Sequence, residues 1–442
     1  MRDIILIAIV IACSLVALRR PTFGILAFIC VSLVNPNSMT WGFARFFPSA
    51  QYIAIGTFLG IVFWNESKKL PLSSESVLLF ALWGIFGIST VFAIYPDASL
   101  EKLIYISKIL LMVFLSTILI NSEHRLRLLL RVIALSLGVY GLKSGFWAIT
   151  SGGRFMVWGP EESFLYSNNA IGLALSLNVP ILFYLAKAET SIWLRRLMMV
   201  MMVFSYPAII CTFSRGAWLT LAAMTGLMAL YSERKALTVS GGGILVVVVI
   251  GLFATGLMSA PERVQGRYDE LVGWENEGSA VSRFWNWEFC QRVGLARPFG
   301  GGFNFYEPEL YPIYFPEFIE KYGTDKVWSC HSMWYTILGE HGVIGFILWI
   351  LLFLSCFISL RKLRRWGNAN AWIIPYVNMV QLGLIAYMIA GTFLDTAYFD
   401  LFYQLVGIII IMKSLKTRSA ITQHPSVVPS SINHLNPSLQ GK

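Results

Sequence analysis

Charged residues are scarce in this chain. Only 13% of its 442 residues are charged, whereas 56% are hydrophobic. A soluble domain contains roughly 25% charged residues. The shortage excludes a large soluble domain and predicts an all-α polytopic membrane protein.

The sequence also lacks the common motifs of metal-dependent and nucleotide-dependent enzymes. No Asp-x-Asp pair lies in a loop, and no two histidines have the spacing of a metal site. No Gly-x-Ser-x-Gly motif occurs, and the glycine run in RPFGGGFNFYEPE lacks the Gly-Lys-Ser/Thr ending of a P-loop. We therefore expect chemistry without a metal or another cofactor, and we predict that the glycine run forms a tight turn.

Apolar stretches predict 12 to 13 membrane helices, of which the first two and the last are short for a span of about 20 residues. They cover residues 4–18, 22–34, 49–64, 76–95, 101–120, 128–150, 169–186, 194–212, 216–231, 236–258, 342–360, 372–394 and 397–412. Charged residues away from the basic ends of these stretches are few; the exceptions are Lys108, Lys143 and Asp400 within them and Asp395 directly after the stretch 372–394. Because a coupled transporter usually needs charged groups near the membrane midplane, this scarcity argues against transport.

Lysine and arginine cluster in every second connection between these stretches. Cytoplasmic loops carry an excess of both residues, so the basic connections are predicted to be cytoplasmic. They contain Arg19, Arg20, Lys68, Lys69, Arg125, Arg127, Arg131, Lys187, Arg195, Arg196, Arg234, Lys235, Arg361, Lys362, Arg364 and Arg365. Residues 259–330 then form a long loop on the outer face, with seven Lys or Arg against eleven Asp or Glu. The net charge of +10 therefore reflects membrane topology and not nucleic-acid binding.

The predicted organisation has four parts. Residues 1–258 are N-terminal membrane helices, 259–341 form a loop or lid on the outer face, and 342–412 are C-terminal membrane helices. Residues 413–442, rich in Ser, Pro and Asn, predict a disordered cytoplasmic tail.

The six cysteines divide between spans and the outer loop. Four lie in apolar stretches and are predicted to be packing residues. Cys290 and Cys330 belong to the outer loop, where a disulfide requires an oxidising compartment. The sequence leaves their pairing open.

His331 lies where the outer loop returns to the membrane, in the run CHSMWYTILGEHG. If this run is one helix, Tyr335 is on the His331 side and Glu340 is about half a turn away, unless Gly339 breaks the helix. A histidine near neutrality is the natural general base for a hydroxyl acceptor. Tyr335 and Glu340 are candidates for supporting roles. The competing interpretation is an interfacial histidine that bonds a loop carbonyl.

Arginines on the outer face are the candidate phosphate ligands. Arg215 begins a span after Thr212 and Ser214, two good N-cap types. A helix N-terminus beside an arginine suits phosphate. Arg283 lies among aromatic residues in SAVSRFWNW, and Arg263 lies in PERVQGRYDE. The competing interpretations are contact with lipid headgroups for the first arginine and solvated ion pairs for the other two.

Several segments together resemble a known family. The runs NPNSMTWGFARFFPSAQYIAIGTFLG, GGRFMVWGPEESFLYSNNA, CTFSRGAWLTLAA and HSMWYTILGEHGVIG are similar to those of the exosortase-A-associated O-glycosylation ligases. That group belongs to the superfamily of O-antigen ligases and O-antigen polymerases. The resemblance extends to about Met412 and implies a GT-C-like helical fold in a bacterial inner membrane.

The resemblance also implies a reaction and its residues. Such enzymes transfer a glycan from undecaprenyl diphosphate, on the periplasmic side, to a hydroxyl of the lipid A core or of a protein Ser or Thr. By motif, the arginines that bind the diphosphate fall on Arg215, Arg283 and Arg263, and the catalytic base falls on His331. Loss of the acceptor proton to this base during attack on the anomeric carbon implies inversion.

Two other functions stay open at this point. A polymerase of the same superfamily uses a second lipid-linked glycan as acceptor, and the sequence does not separate it from a ligase. A glycolipid transporter without chemistry is the other alternative. Polar residues concentrate on one membrane face and not at the midplane, which argues against the transporter. Membrane lipids are expected partners in each case.

Overall fold

A computed structural model describes residues 1–63, 69–231, 278–322 and 329–423, which form helices joined by turns. The first nine helices are α1 (Arg2–Arg19), α2 (Pro21–Val34), α3 (Ser49–Phe63), α4 (Ser74–Val91), α5 (Pro96–Leu119), α6 (Glu123–Thr150), α7 (Asn168–Ala188), α8 (Ile192–Ile210) and α9 (Arg215–Leu230). The four later long helices are α10 (Gly278–Ala296), α11 (Met333–Gly367), α12 (Ile374–Gly391) and α13 (Asp400–Gln423). The predicted span 236–258 and Arg263 lie outside the described residues.

Seven helices in the described part of the chain are long and apolar enough to cross a membrane. They are α4 to α8, α11, and α12 together with the short turn before it; α2 and α3 are apolar but shorter. No strand occurs among the described residues. The predicted class, an all-α polytopic membrane protein, is therefore confirmed. The count of 12 to 13 spans stays a prediction.

Helix α7 is at the centre of the bundle. Nearly all of its residues from Ile171 to Ala186 are buried, and it packs against α6, α8, α9 and α12. Helices α6 and α8 approach closely because Gly138, Gly141 and Gly145 form a stripe on α6 that contacts α8 directly. Small residues permit such close backbone approach within a membrane. This packing holds the starts of α7 and α9, which border the candidate site.

The described part of the predicted outer loop is a folded unit. Helix α10 contributes to a separate apolar cluster of Phe289, Cys290, Val293, Phe305, Leu310, Tyr311, Phe315 and Cys330. A disulfide joins Cys290 to Cys330, whose Cα atoms are 6.2 Å apart. The pairing that the sequence left open is thus present, and it ties α10 to the residue that precedes His331.

Helix α11 begins at Met333, so His331 precedes it. His331 has a φ of 48°, in the left-handed region that histidine adopts more readily than most residues. The condition that CHSMWYTILGEHG is one helix is therefore not met at its start, because the chain turns at His331 before the helix begins. The helix does break farther on, but at Gly342 (φ 66°, ψ −171°) and not at Gly339.

The glycine run docks the outer loop onto this kink. The N–H groups of Gly301 and Gly302 donate to the carbonyls of Gly339 (2.8 Å) and Glu340 (3.0 Å). The break at Gly342 removes helical hydrogen bonds from this part of α11, so its carbonyls need other donors. Gly302 has a φ of 84°, which strains a residue with a Cβ. The tight turn predicted for the glycine run is confirmed.

A buried carboxylate joins three helices at the opposite end of the bundle. Glu75 of α4 is fully buried. Its carboxylate accepts hydrogen bonds from Lys413 of α13 (2.7 Å) and from Ser355 (2.8 Å) and Ser359 (2.6 Å) of α11. A buried charge needs such partners to offset its lost hydration. The network holds together the ends of α4, α11 and α13 that lie away from the candidate site. The sequence predicts that these ends are cytoplasmic.

Candidate active site

A cavity of about 410 Å³ lies at the ends of the helices that the lysine and arginine pattern predicts to be outside. The starts of α5, α7 and α11 and the connection between α12 and α13 line it. Its polar lining includes Lys102, Asn304, His331, Glu340, Asp395 and Tyr398. The cavity thus unites His331 with Glu340, which one continuous helix would have placed on different sides.

His331 is half-buried in this cavity. Burial lowers the pKa of its imidazole; the carboxylate of Asp395 acts against this shift, and the guanidinium of Arg283 adds to it. A lowered pKa leaves the imidazole neutral at pH 7, with a ring nitrogen that can accept a proton. The environment therefore suits the role of general base.

Glu340 is held by hydrogen-bond donors from three segments. One carboxylate oxygen accepts the backbone N–H of Asn304 (3.0 Å) and the hydroxyl of Tyr306 (3.1 Å). The other accepts the hydroxyl of Tyr398. Such donors fix the position of a carboxylate that is only 2% exposed. The supporting role predicted for Glu340 has a physical basis here, but no described contact makes it a direct partner of His331.

His341 contacts this network on the side away from the cavity. Its Nε2 lies 2.6 Å from the Tyr398 hydroxyl and its Nδ1 lies 2.6 Å from the Ser89 hydroxyl. Because Tyr398 donates its single proton to Glu340, its oxygen accepts the hydrogen that Nε2 of His341 carries, while the Ser89 hydroxyl is shared between Nδ1 and the Phe86 carbonyl (3.0 Å). His341 is fully buried and is absent from the cavity wall, so His331 is the histidine that a substrate in the cavity would meet.

The charges that line the cavity are two carboxylates and one ammonium. Asp395 is exposed and accepts a hydrogen bond from Thr336 (2.9 Å). The Lys102 ammonium lies over the rings of Tyr105 and Tyr398, at 5.2 and 5.7 Å from their centroids. A diphosphate placed among these groups would meet more negative charge than positive charge. The lining suits hydroxyl groups better than phosphate.

Arg215 is the first residue of α9, immediately beside the cavity wall. Its predicted N-cap is confirmed, since the Ser214 hydroxyl accepts a backbone N–H of the first turn (3.3 Å). Arg215 itself is not one of the lining residues. Its neighbour Gly216 faces the lining residue Leu394, which lies 3.5 Å from the position of an added Cβ. The helix N-terminus and its arginine therefore border the cavity.

Arg283 approaches the site from α10. It is half-buried, and its charge influences the pKa of His331. One turn farther on, the Trp287 ring stacks on Tyr335 of α11 at 5.2 Å with an interplanar angle of 8°. Tyr335 thus holds α10 against α11 and does not line the cavity. Arg263 lies outside the described residues, so its contact with the site stays a prediction.

Sequence reasoning missed Lys102 and Tyr398 and treated Asp395 only as a charge near a span. Lys102 carried a usable signal, because a lysine at a span end that is predicted to be outside opposes the positive-inside tendency. Tyr398 carried none, since an aromatic residue at a span end is ordinarily an interface residue. Only the packing of α5 against α13 and the adjoining connection brings these residues to one cavity.

Comparison with known families divides the chain into two matched segments. Residues 1–190 match a family model described as a family of unknown function (DUF5935). Residues 197–350 match a family model described as O-Antigen ligase. No curated protein matches the chain. The second segment contains every site residue that the sequence analysis named, which are Arg215, Arg263, Arg283, His331, Tyr335 and Glu340.

Proposed function

Because the chain belongs to the O-antigen ligase superfamily through residues 197–350, we propose that it transfers a glycan from undecaprenyl diphosphate to a hydroxyl group. The observation that carries the proposal is a cavity that holds a neutral His331 and is bordered by the arginine-bearing start of α9. The acceptor is a sugar of the lipid A core or a protein Ser or Thr. Membership of the exosortase-A-associated subgroup stays a prediction.

In the proposed reaction, the acceptor oxygen attacks the anomeric carbon as the bond from that carbon to the diphosphate breaks. His331 takes the acceptor proton. The electron pair of the broken bond leaves with the diphosphate, whose charge Arg215 and Arg283 stabilise, with Arg263 as a third ligand. Attack on the side opposite the leaving group inverts the anomeric carbon. The proposed step uses no metal, as the sequence predicts.

The charge distribution supports two compartments within the site. The cavity lining offers carboxylates, amides and hydroxyls, which bind sugar hydroxyls. Guanidinium groups and a helix N-terminus, which bind phosphate oxygens, lie at its border on α9 and α10. This separation supports a glycan in the cavity and a diphosphate at the arginines.

An adjacent groove supports a lipid-linked donor. The groove has a volume of about 690 Å³ and a mostly apolar lining that includes Phe28, Ile55 and Met112. It shares Tyr105 and Phe164 with the cavity wall. An apolar channel that meets a polar cavity fits an amphipathic molecule, and we place the polyprenyl chain there.

The disulfide supports a periplasmic site in a bacterial inner membrane. Disulfides persist in oxidising compartments, of which the periplasm is one, and are rare in the cytosol. Cys290 and Cys330 lie on the same side of the bundle as the cavity. A periplasmic location of the disulfide agrees with the orientation that the lysines and arginines of the basic loops predict. The two arguments use different residues.

Reconstitution tests the function directly. The full-length protein in liposomes should transfer a lipid-linked glycan, extracted from membranes of the native host lacking this gene, to the acceptor fraction of those membranes. Transfer should persist in EDTA, and the new linkage should have the inverted anomeric configuration. A longer lipid-linked glycan as the product would instead identify a polymerase. Movement of the donor across the bilayer without a new bond would identify a transporter and contradict the proposal.

The pH dependence of transfer should report the charges around His331. Transfer needs neutral imidazole, so kcat/KM should fall as the pH drops through the lowered pKa of His331. Asp395→Asn removes a carboxylate that raises this pKa, so the acid limb should move to lower pH. Arg283→Gln removes a charge that lowers it, so the limb should move to higher pH. Profiles normalised to each variant's maximum check the signs; limbs that coincide would rule out His331 as the titrating base.

A further inference from the structure

Lys108 places a positive charge in the middle of a membrane helix. Helix α5 has 24 residues and is one of the helices that are apolar and long enough to cross a membrane. Lys108 lies about 16 to 18 Å from either end of the helix, at 1.5 Å per residue. That distance exceeds the length of a lysine side chain, so snorkelling to an end of α5 does not explain the charge. A charged residue at such depth is costly and by default indicates a functional site.

Lys108 faces the apolar groove of about 690 Å³. The residues of α5 that line the groove are Tyr105, Lys108, Ile109, Leu111 and Met112. Residues three and four apart share one face of a helix, so Lys108 lies at the centre of the face that α5 presents to the groove. The residue is exposed, and a molecule in the groove can therefore contact it.

The charge of Lys108 is not balanced by the protein. Lys108 makes no hydrogen bond and no ion pair with another described residue. Arg45 also lines the groove, but it pairs with Glu161. Two carboxylates of the described lining, Glu162 and Asp400, form no ion pair with Lys108. An ammonium group among apolar residues is unfavourable without a counter-ion, and an anionic ligand would supply one.

We propose that Lys108 binds the diphosphate of the lipid-linked donor in the groove, at an entry site separate from Arg215 and Arg283. The inference rests on the proposed function. A polyprenyl diphosphate has an apolar chain that matches the groove lining and a negative charge that matches Lys108. Lysine binds phosphate through a charge-assisted hydrogen bond.

The route from the groove to the cavity passes Lys108. The groove joins the cavity at Tyr105 and Phe164, and Tyr105 is one helical turn from Lys108 on α5. The start of α9, with Arg215, borders the cavity at a different residue, Leu394. A donor that enters through the groove therefore meets Lys108 before its diphosphate reaches the arginines.

The proposal also gives a role to the segment that matches a family of unknown function. That segment covers residues 1–190. It contains Lys108 and every described lining residue of the groove except Asp400, Leu401 and Gln404 of α13. In the proposal, residues 1–190 supply the lipid-binding groove, and residues 197–350 supply the arginines and His331.

Removing the two arginines isolates the groove site for a binding test. The double variant Arg215→Gln/Arg283→Gln should still bind undecaprenyl diphosphate, measured by native mass spectrometry of the full-length protein in detergent. Adding Lys108→Met, which removes the charge and keeps an unbranched side chain, should raise the dissociation constant about 10- to 100-fold, the range for one hydrogen bond to a charged group. Adding Lys108→Arg instead, which keeps the charge, should preserve most of the binding.

Two other lipids identify what Lys108 recognises. Undecaprenol has the same chain without phosphate, so Lys108→Met should leave its binding unchanged. Phosphatidylglycerol carries a phosphate on a different lipid; an equal loss of its binding would identify a site for membrane phospholipid and overturn the proposal. The midpoint of thermal unfolding should stay level or rise in Lys108→Met, because a charge without a counter-ion has been removed.

Lys143→Met is the matched control. Lys143 is exposed on α6, another candidate membrane span, and does not belong to the described lining of the groove or the cavity. Its replacement should leave the binding of undecaprenyl diphosphate unchanged. Equal dissociation constants with and without Lys108→Met would overturn the proposal, and so would absence of binding by the double variant. If the wild-type protein transfers no glycan while binding still depends on Lys108, the proposed function is refuted and the binding site stands.

Discussion

Replacing His331 by asparagine should reduce glycan transfer by roughly two to four orders of magnitude, the usual contribution of a general base. Asparagine is the informative substitution because it tolerates the left-handed backbone at φ 48° and takes up no proton near neutral pH. The protein should therefore fold normally while losing the proton acceptor. Initial transfer rates in liposomes and the thermal unfolding midpoint in detergent check both expectations.

Two further variants separate the imidazole from its surroundings. His331→Gly also tolerates the left-handed backbone and leaves space, so added imidazole should restore part of the transfer. His124→Ala changes an exposed histidine at the start of α6, on the predicted cytoplasmic side, and should leave transfer unchanged. Wild-type rates in His331→Asn would eliminate His331 as the base and favour the interfacial interpretation.

Arg215→Gln and Arg283→Gln should each slow transfer by about 10²- to 10³-fold, by analogy with the loss of one hydrogen-bond donor to a transition state. The developing charge on the diphosphate would lose a fixed positive partner, so kcat should fall more than the KM of the donor rises. Lysine at either position should restore only part of the rate, because it keeps the charge but lacks the two-pronged geometry of arginine. Steady-state kinetics with the lipid-linked glycan check this split.

Product inhibition gives a readout that a purely structural role would not produce. Undecaprenyl diphosphate should inhibit the Arg215 and Arg283 variants more weakly than the wild type, whereas His331→Asn should bind it normally. Arg292→Gln is the matched control on α10, since Arg292 already pairs with Glu288 (2.6 Å) and Glu317 (2.9 Å). Exposed pairs of this kind contribute little, so its transfer rate should change by less than about twofold. Equal inhibition of all variants would argue against diphosphate binding by Arg215 and Arg283.

Features that depend on local composition were accessible from the sequence. The membrane class follows from long apolar stretches, because each stretch partitions into the bilayer largely by itself. The helix start at Arg215 follows from Ser214, because an N-cap acts within one turn. The turn at the glycine run follows from the backbone freedom of glycine. Each of these signals operates over a few residues or over one span.

The geometry around His331 was not accessible in the same way. Helical spacing placed Glu340 away from His331, because it assumed a regular helix through the whole run. The left-handed turn at His331 follows Cys330, which is tied to α10 by the disulfide to Cys290. The kink at Gly342 follows the carbonyls of Gly339 and Glu340, which accept bonds from Gly301 and Gly302. Those donors lie about 40 residues earlier in the chain, so no local pattern reports them.

The sequence by itself determined the membrane class, and its motifs predicted the reaction family and the residues His331, Arg215 and Arg283. Tertiary structure alone decided which side chains share the cavity with His331. Lys102 comes from α5, Glu340 from α11 and Thr396 from the connection after α12. The cavity is built at the ends of helices that are distant in sequence, and its composition depends on how those helices pack. Packing also brings Cys290 close enough to Cys330 to form a disulfide. The types of the two residues alone do not specify the distance between them.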